Sequence, residues 1–314
     1  MRSILAGVGL LVVLFALGCN LAPHYRDNPS IGGKKTSVAT PTVEGLVKYL
    51  NHNAEAVKSN QAINCTNLTI DIVADGRPLG ISSRLVCQSP RNFRMSGVLL
   101  GQPAVEVGSN DKEFWFWCKE MRNKDEPAYL YHCSYDALAR GTKIPFPFQP
   151  EMVLKALGVS PYDTAKPYEM KIADNKGLKT IRLSEQTLSP QNTTVKKITV
   201  FDYHERSVPY PQVIEHILED DKGRVICSAT IQSTQLVGGP AGVILPKQLT
   251  LNWPEQKLQM KMRFENPRVV DMPEAKAATV FNRQGLQYQS FDLASNTVDG
   301  AGVQQAGALY RRPR

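Results

Sequence analysis

The sequence predicts an α+β fold. It is a long curved antiparallel β-sheet, a half-barrel, with an N-terminal helix and a short inserted helix covering the concave face. Three observations carry this expectation. About a dozen segments alternate apolar and polar residues with a period of two. Turn-forming residues separate these segments at short intervals. Helical spacing occurs in two places, once before the first strand and once midway.

The chain begins MRSILAGVGLLVVLFALGCN. Arg2 precedes an uncharged apolar run from Ile4 to Leu17, which is short for a membrane span and reads as an export signal. The run ends in Ala16-Leu17-Gly18-Cys19, which resembles the lipobox of bacterial lipoproteins, with Ala16 where that family usually has leucine. The resemblance implies cleavage before Cys19 and a lipid on its thiol. An ordinary signal peptide and an uncleaved anchor are the alternatives. Asn20 follows the cysteine where the sorting rules of double-membrane bacteria use aspartate for inner-membrane retention, so the resemblance implies an outer-membrane anchor facing the periplasm. The chain divides into a signal peptide (1–18), a Pro-, Gly- and Ser-containing tether (19–41), a folded domain (42–291) and a disordered Gly-, Ala- and Gln-rich tail (292–314).

Within the domain, Thr42 to Ser59 carries Val43, Leu46, Val47, Leu50, Ala54 and Val57 at helical spacing. The period then changes. Asn64 to Ala74 and Ile81 to Gln88 read as a hairpin about Asp75-Gly76-Arg77-Pro78. Asn92 to Leu100 and Pro103 to Val107 follow, then Glu113 to Lys119 and Ala128 to Tyr135 as a second hairpin. Pro150 to Gly158 is a short helix, with Pro at its start and Gly at its end. Further strands are read at Tyr168 to Ala173, Lys179 to Glu185, Val195 to Asp202, Gln212 to Glu219, Arg224 to Ser233, Lys247 to Trp253 and Lys257 to Phe264.

Six cysteines are present. Folding the first hairpin about residue 76 sets Cys65 opposite Cys87, and folding the second about its middle sets Cys118 opposite Cys133. Two disulfides are therefore expected in an oxidising compartment. Cys227 reads as a buried thiol.

The net charge is +8, with basic residues spread along the chain rather than clustered. That suits a protein near anionic head groups. It offers no stripe of stacking aromatics among basic residues, so nucleic acid is not an expected partner. The five histidines show no H-E-x-x-H spacing, and there is no G-x-S-x-G elbow or phosphate-cradling loop. No catalytic residue, metal or cofactor is expected.

The order of elements is similar to the outer-membrane lipoprotein carrier and receptor superfamily, the LolA/LolB-like half-barrel. The residues that carry the resemblance are a helix, then LTIDIVADG, RLVCQSPRNFRMSG, EVGSNDKEFWFW, ILEDDKGRVICSATI and LPKQLTLNWPEQKLQMKMRFENPRV. It implies a concave apolar surface that holds acyl chains of a lipid or lipoprotein. The expected lining is Leu68, Ile70, Ile72, Phe93, Met95, Phe114, Phe116, Met260 and Met262. The same residues would serve equally as plain core, leaving a scaffold with a filled interior as the alternative.

Overall fold

The computed structural model describes residues 40–74, 76–119, 128–144, 150–175, 178–203, 212–238 and 242–299. The signal peptide, Cys19 and nearly all of the tether lie outside them. Helix α1 (Val43–Glu55) starts where Thr42 accepts the Gly45 amide at 3.1 Å, one of the orphan donors of a first turn. Six strands follow: β1 (Gln61–Ala74), β2 (Arg77–Gln88), β3 (Asn92–Leu99), β4 (Gln102–Ser109), β5 (Glu113–Cys118) and β6 (Leu130–Ser134). Two short helices, α2 (Tyr135–Ala139) and α3 (Pro150–Ala156), divide the chain. The second run comprises β7 (Glu169–Asn175), β8 (Leu178–Leu188), β9 (Thr194–Asp202), β10 (Gln212–Asp220), β11 (Val225–Val237), β12 (Val243–Trp253) and β13 (Leu258–Glu265). Last come β14 (Arg268–Asp271), α4 (Glu274–Val280), β15 (Ser290–Asp292) and β16 (Thr297–Val298).

These strands form one open sheet in the order β16-β15-β6-β5-β4-β3-β2-β1-β13-β12-β11-β10-β9-β8-β7, with β14 pairing the start of β1. Every pairing is antiparallel except that of β15 with β6. The two meanders meet at β1, which lies between β2 and β13. The expected α+β curved sheet is present and does not close into a barrel.

Alternation decides which residues face inward. Leu68 stands across from Phe264, Ile70 from Met262 and Ile72 from Met260. Together with Phe93, Met95, Phe114 and Phe116 these residues join the main core, which α2 and α3 fill with Ala137, Leu138, Val153 and Leu154. All nine residues expected to line a ligand surface are therefore packed as core, Ile72 at its margin. The inserted helices α2 and α3 pack against the same cluster.

The outer face is covered too. Trp115 and Trp117 alternate with Phe114 and Phe116 and pack outward with Leu130, Leu286 and Tyr288. Gly108 stands across from Trp115, where any Cβ would intrude on the indole, so this strand position needs a glycine. Helix α4 lays Ala277 and the following Phe281 on Ala62 and Met272. The stretch expected to begin the disordered tail at Asp292 instead pairs as β15 and β16 through residue 298, with Phe291 and Leu293 buried. Residues 300–314 lie outside the described part.

The register also corrects the cysteine pairing. Cys87 stands across from Ile63, while Cys65 stands across from Leu85 just before a β-bulge that shifts the register. Cys65 Sγ donates to the Asn67 carbonyl at 3.3 Å at that bulge. Cys133 stands across from Phe114, and Phe116 across from Tyr131. Cys118, four residues along from Phe114, is thus about 13 Å from the position facing Cys133. The observed register is symmetric about the middle of the 120–127 connection, whereas a Cys118–Cys133 pair would need an axis two residues later. Cys65, Cys87, Cys133 and Cys227 are buried thiols, and burial pushes Cys87 and Cys227 up to about 12.

Candidate functional site

Space remains at the other half of the inner face. A cavity of about 330 Å³ lies between α3, the segment 160–168 and strands β8 to β10. Two cross-strand rows build its floor. Leu183, Thr199 and His216 form one row, and Glu185, Lys197 and Leu218 the other. Val195 continues the apolar part, and Met152 of α3 forms part of the opposite wall.

The first row is a hydrogen-bonded chain. Tyr162 Oη and Thr199 Oγ1 are 2.8 Å apart, and Thr199 Oγ1 and His216 Nδ1 are 3.2 Å apart. Burial, reinforced by the Lys155 ammonium, pushes the His216 imidazolium down to about 3. The ring is therefore neutral across physiological pH and acts as a fixed hydrogen-bonding group, not a proton shuttle. Burial also pushes the Tyr162 phenol upward, so its proton stays in place.

The second row is electrostatic. Lys166 Nζ lies 3.3 Å from Glu185 Oε2, and Lys197 stands opposite Glu185 in the β8–β9 register. Lys155 reaches over from α3. Its Nζ lies 3.0 Å from the centre of the Tyr162 ring and donates to the Pro161 carbonyl at 3.4 Å. Burial pushes this ammonium down to about 7. Glu185 opposes that shift, while Lys197 and Lys166 reinforce it. Thus three lysines share one buried carboxylate. At the mouth Arg91 pairs with Glu151 at 3.1 Å, and Asp163 turns to cap the Ala165 amide at 2.9 Å.

Helix α1 fixes this arrangement from behind. Asn51 accepts the Tyr162 amide at 2.7 Å and donates to the Tyr162 carbonyl at 2.9 Å. Asn53 donates to the Gly158 and Ile244 carbonyls, each at 3.1 Å, and accepts the Ile244 amide at 2.7 Å. Gly158 has φ +72°, which suits the end of α3, and a Cβ there would lie 2.6 Å from Asn53 Nδ2. A second space of about 50 Å³ lies behind Lys155, Tyr162 and His216, under α1.

None of the nine residues expected from the sequence lines the larger cavity. Its polar lining includes Lys155, Lys166, Glu185, Lys197 and Thr199, which the sequence does not single out, and His216, one of the five histidines without metal or catalytic spacing. A usable signal was present on β9. Val195, Lys197, Thr199 and Phe201 share the inner face, so a charge and a hydroxyl interrupt an otherwise apolar row. Among the described residues no group of acidic, histidine and cysteine side chains is placed to hold a metal, and no helix is long and apolar enough to cross a membrane.

No family profile matches the chain, and no curated protein matches it in sequence. Among solved structures it is similar to a DUF1329 family protein from Desulfovibrio piger, at 11% identity over 79% of this chain and 100% of that one, with a TM-score of 0.49. It is similar to an outer membrane lipoprotein-sorting protein domain from Vibrio parahaemolyticus, at 11% identity over 76% of this chain and 98% of that one, TM-score 0.47. A LolA superfamily protein from Nitrosomonas europaea aligns at 8% identity over 76% of this chain and 99% of that one, TM-score 0.45.

Proposed function

We propose that the protein is a non-catalytic, lipid-anchored component of the cell envelope that holds an acyl chain of a lipid or lipoprotein in the inner-face cavity. The observation that carries this reading is the cavity itself. The residues in front of β1 and β13 are packed as core, yet β8 to β10 leave about 330 Å³ above Leu183, Val195 and Leu218. Such a site works by apolar burial, at roughly 25 cal/mol per Å² removed from water. The neutral His216 and the protonated Tyr162 supply hydrogen bonds without acid–base chemistry, and no cofactor is called for. The anchor is the lipid on Cys19, with the domain facing the periplasm from the outer membrane.

Native mass spectrometry of the full-length protein purified from membranes, followed by solvent extraction, tests this. The expected result is one extractable lipid per protein. Leu218→Glu, which charges the floor, should lower its occupancy at least tenfold. A clean unliganded mass that takes up no added lipid would favour the scaffold. The solid core in front of β1 and β13 also suits that alternative, as does Leu100, 95% exposed at the β3–β4 turn.

A further inference from the structure

We propose that the cavity is specific for a single-chain amphiphile with an anionic head, the acyl chain lying on Leu183, Val195 and Leu218 and the head held among Lys155, Lys166 and Lys197. This rests on the reading of the cavity as a lipid site and adds the chemistry of the ligand. Three features support it. Volume comes first: about 330 Å³ is near the lower end for ligand pockets, which suits a single chain.

The second feature is charge. Lys155 leans on the Tyr162 ring and the Pro161 carbonyl, and Lys166 on Thr187 Oγ1 at 3.4 Å, while the carboxylate set among the three lysines is Glu185, which is 8% exposed and already paired with Lys166 at 3.3 Å. Arg91 and Glu151 cancel each other at the mouth, and Asp163 is turned into its own loop. One carboxylate or phosphate entering the cluster would compensate charges that are otherwise partly desolvated and unbalanced. The third feature is arrangement. Lys197 stands between Glu185 on β8 and Leu218 on β10, with Val195 two residues along and Leu183 in the next row, so a charged head and the start of an apolar chain would be accommodated side by side.

The experiment compares ligands of equal chain length on the full-length protein in a neutral detergent, read by native mass spectrometry. The probes are laurate, dodecanol and a twelve-carbon lysophosphatidylglycerol. The expected result is at least tenfold preference for laurate or the lysophospholipid over dodecanol. Preference for one of the two anions identifies a carboxylate or a phosphate head. Lys197→Gln should lower anion binding about tenfold and leave dodecanol binding unchanged. Glu185→Gln, which removes the competing carboxylate, should raise anion binding. Equal binding of all three probes would overturn the head-group assignment while leaving an acyl-chain site in place. Binding of none would remove the acyl-chain reading itself. Unchanged anion binding in both variants, with circular dichroism as in the parent, would also overturn the assignment.

Discussion

Lys155 connects the chemistry of the cavity to pH. Its ammonium faces Glu185 on β8, Lys197 on β9, His216 on β10, Tyr162 and Lys166 on the segment before β7, and Tyr49 of α1. Glu151, one turn away, is engaged with Arg91. Of these groups His216 stays neutral and Tyr162 stays protonated near neutrality. Lys155, pushed down to about 7, is therefore the member whose charge changes there. Below pH 7 it carries a proton and attracts an anion; above pH 7 it does not. Laurate affinity should accordingly rise about tenfold between pH 8 and pH 6, the limit for one linked proton. Lys155→Gln should flatten that dependence. Titrations at the two pH values on both proteins check it.

At the scale of elements, the last described segment behaves as a strap. Arg283 donates from Nε to both Glu113 oxygens, at 3.0 and 2.9 Å, and from Nη1 to Asp299 at 3.3 Å. His132 Nε2 lies 3.0 Å from Asp299 Oδ2, and β15 adds parallel to β6. Arg283→Ala should cost about 2 kcal/mol in urea unfolding, because it removes the N–H that both oxygens of the half-buried Glu113 share. Arg283→Lys should recover only part of this, since an ammonium does not reproduce a guanidinium that reaches Glu113 and Asp299 through different nitrogens. This strap was not legible in the sequence: Ser290 to Val298 is short, polar and broken by turns, and it becomes a strand only because β6 offers an open edge. By contrast, β13 was legible from Leu258, Met260, Met262 and Phe264 alone, since strict alternation fixes both element and face. Register was the weak link. An axis two residues from the middle of the 120–127 connection separates the Cys118–Cys133 pairing from the observed one, in which Cys133 faces Phe114, and the polar connection does not mark which axis is used. The cavity was hidden for a related reason. It forms where α3 stops short of β8 and β9, which is a property of packing and not of pattern.

At the scale of the whole molecule, the proposed lipid on Cys19 bears on where the domain works. A tether over 19–41 would reach at most ~80 Å and on average about 26 Å from the bilayer. The net charge of +8 adds attraction to anionic head groups. Cys19→Ala should move the protein from the membrane pellet to the soluble fraction on cell fractionation, without changing anion binding by the domain. The placement of β1 has a further consequence, for the order in which the sheet is made. Asn67 on β1 bonds Glu265 across 198 residues, whereas β2 follows β1 at once. During synthesis and export the central strand therefore has one neighbour for as long as the chain is shorter than about residue 265. Closing the middle of the sheet is a long-range step, of the kind that makes folding slow and leaves a pairing edge open to other chains. The first meander must keep that edge from aggregating until the second arrives, and Asp71 beside Lys261, with the Asp71–Arg263 ion pair at 3.1 Å, places charge along this late seam.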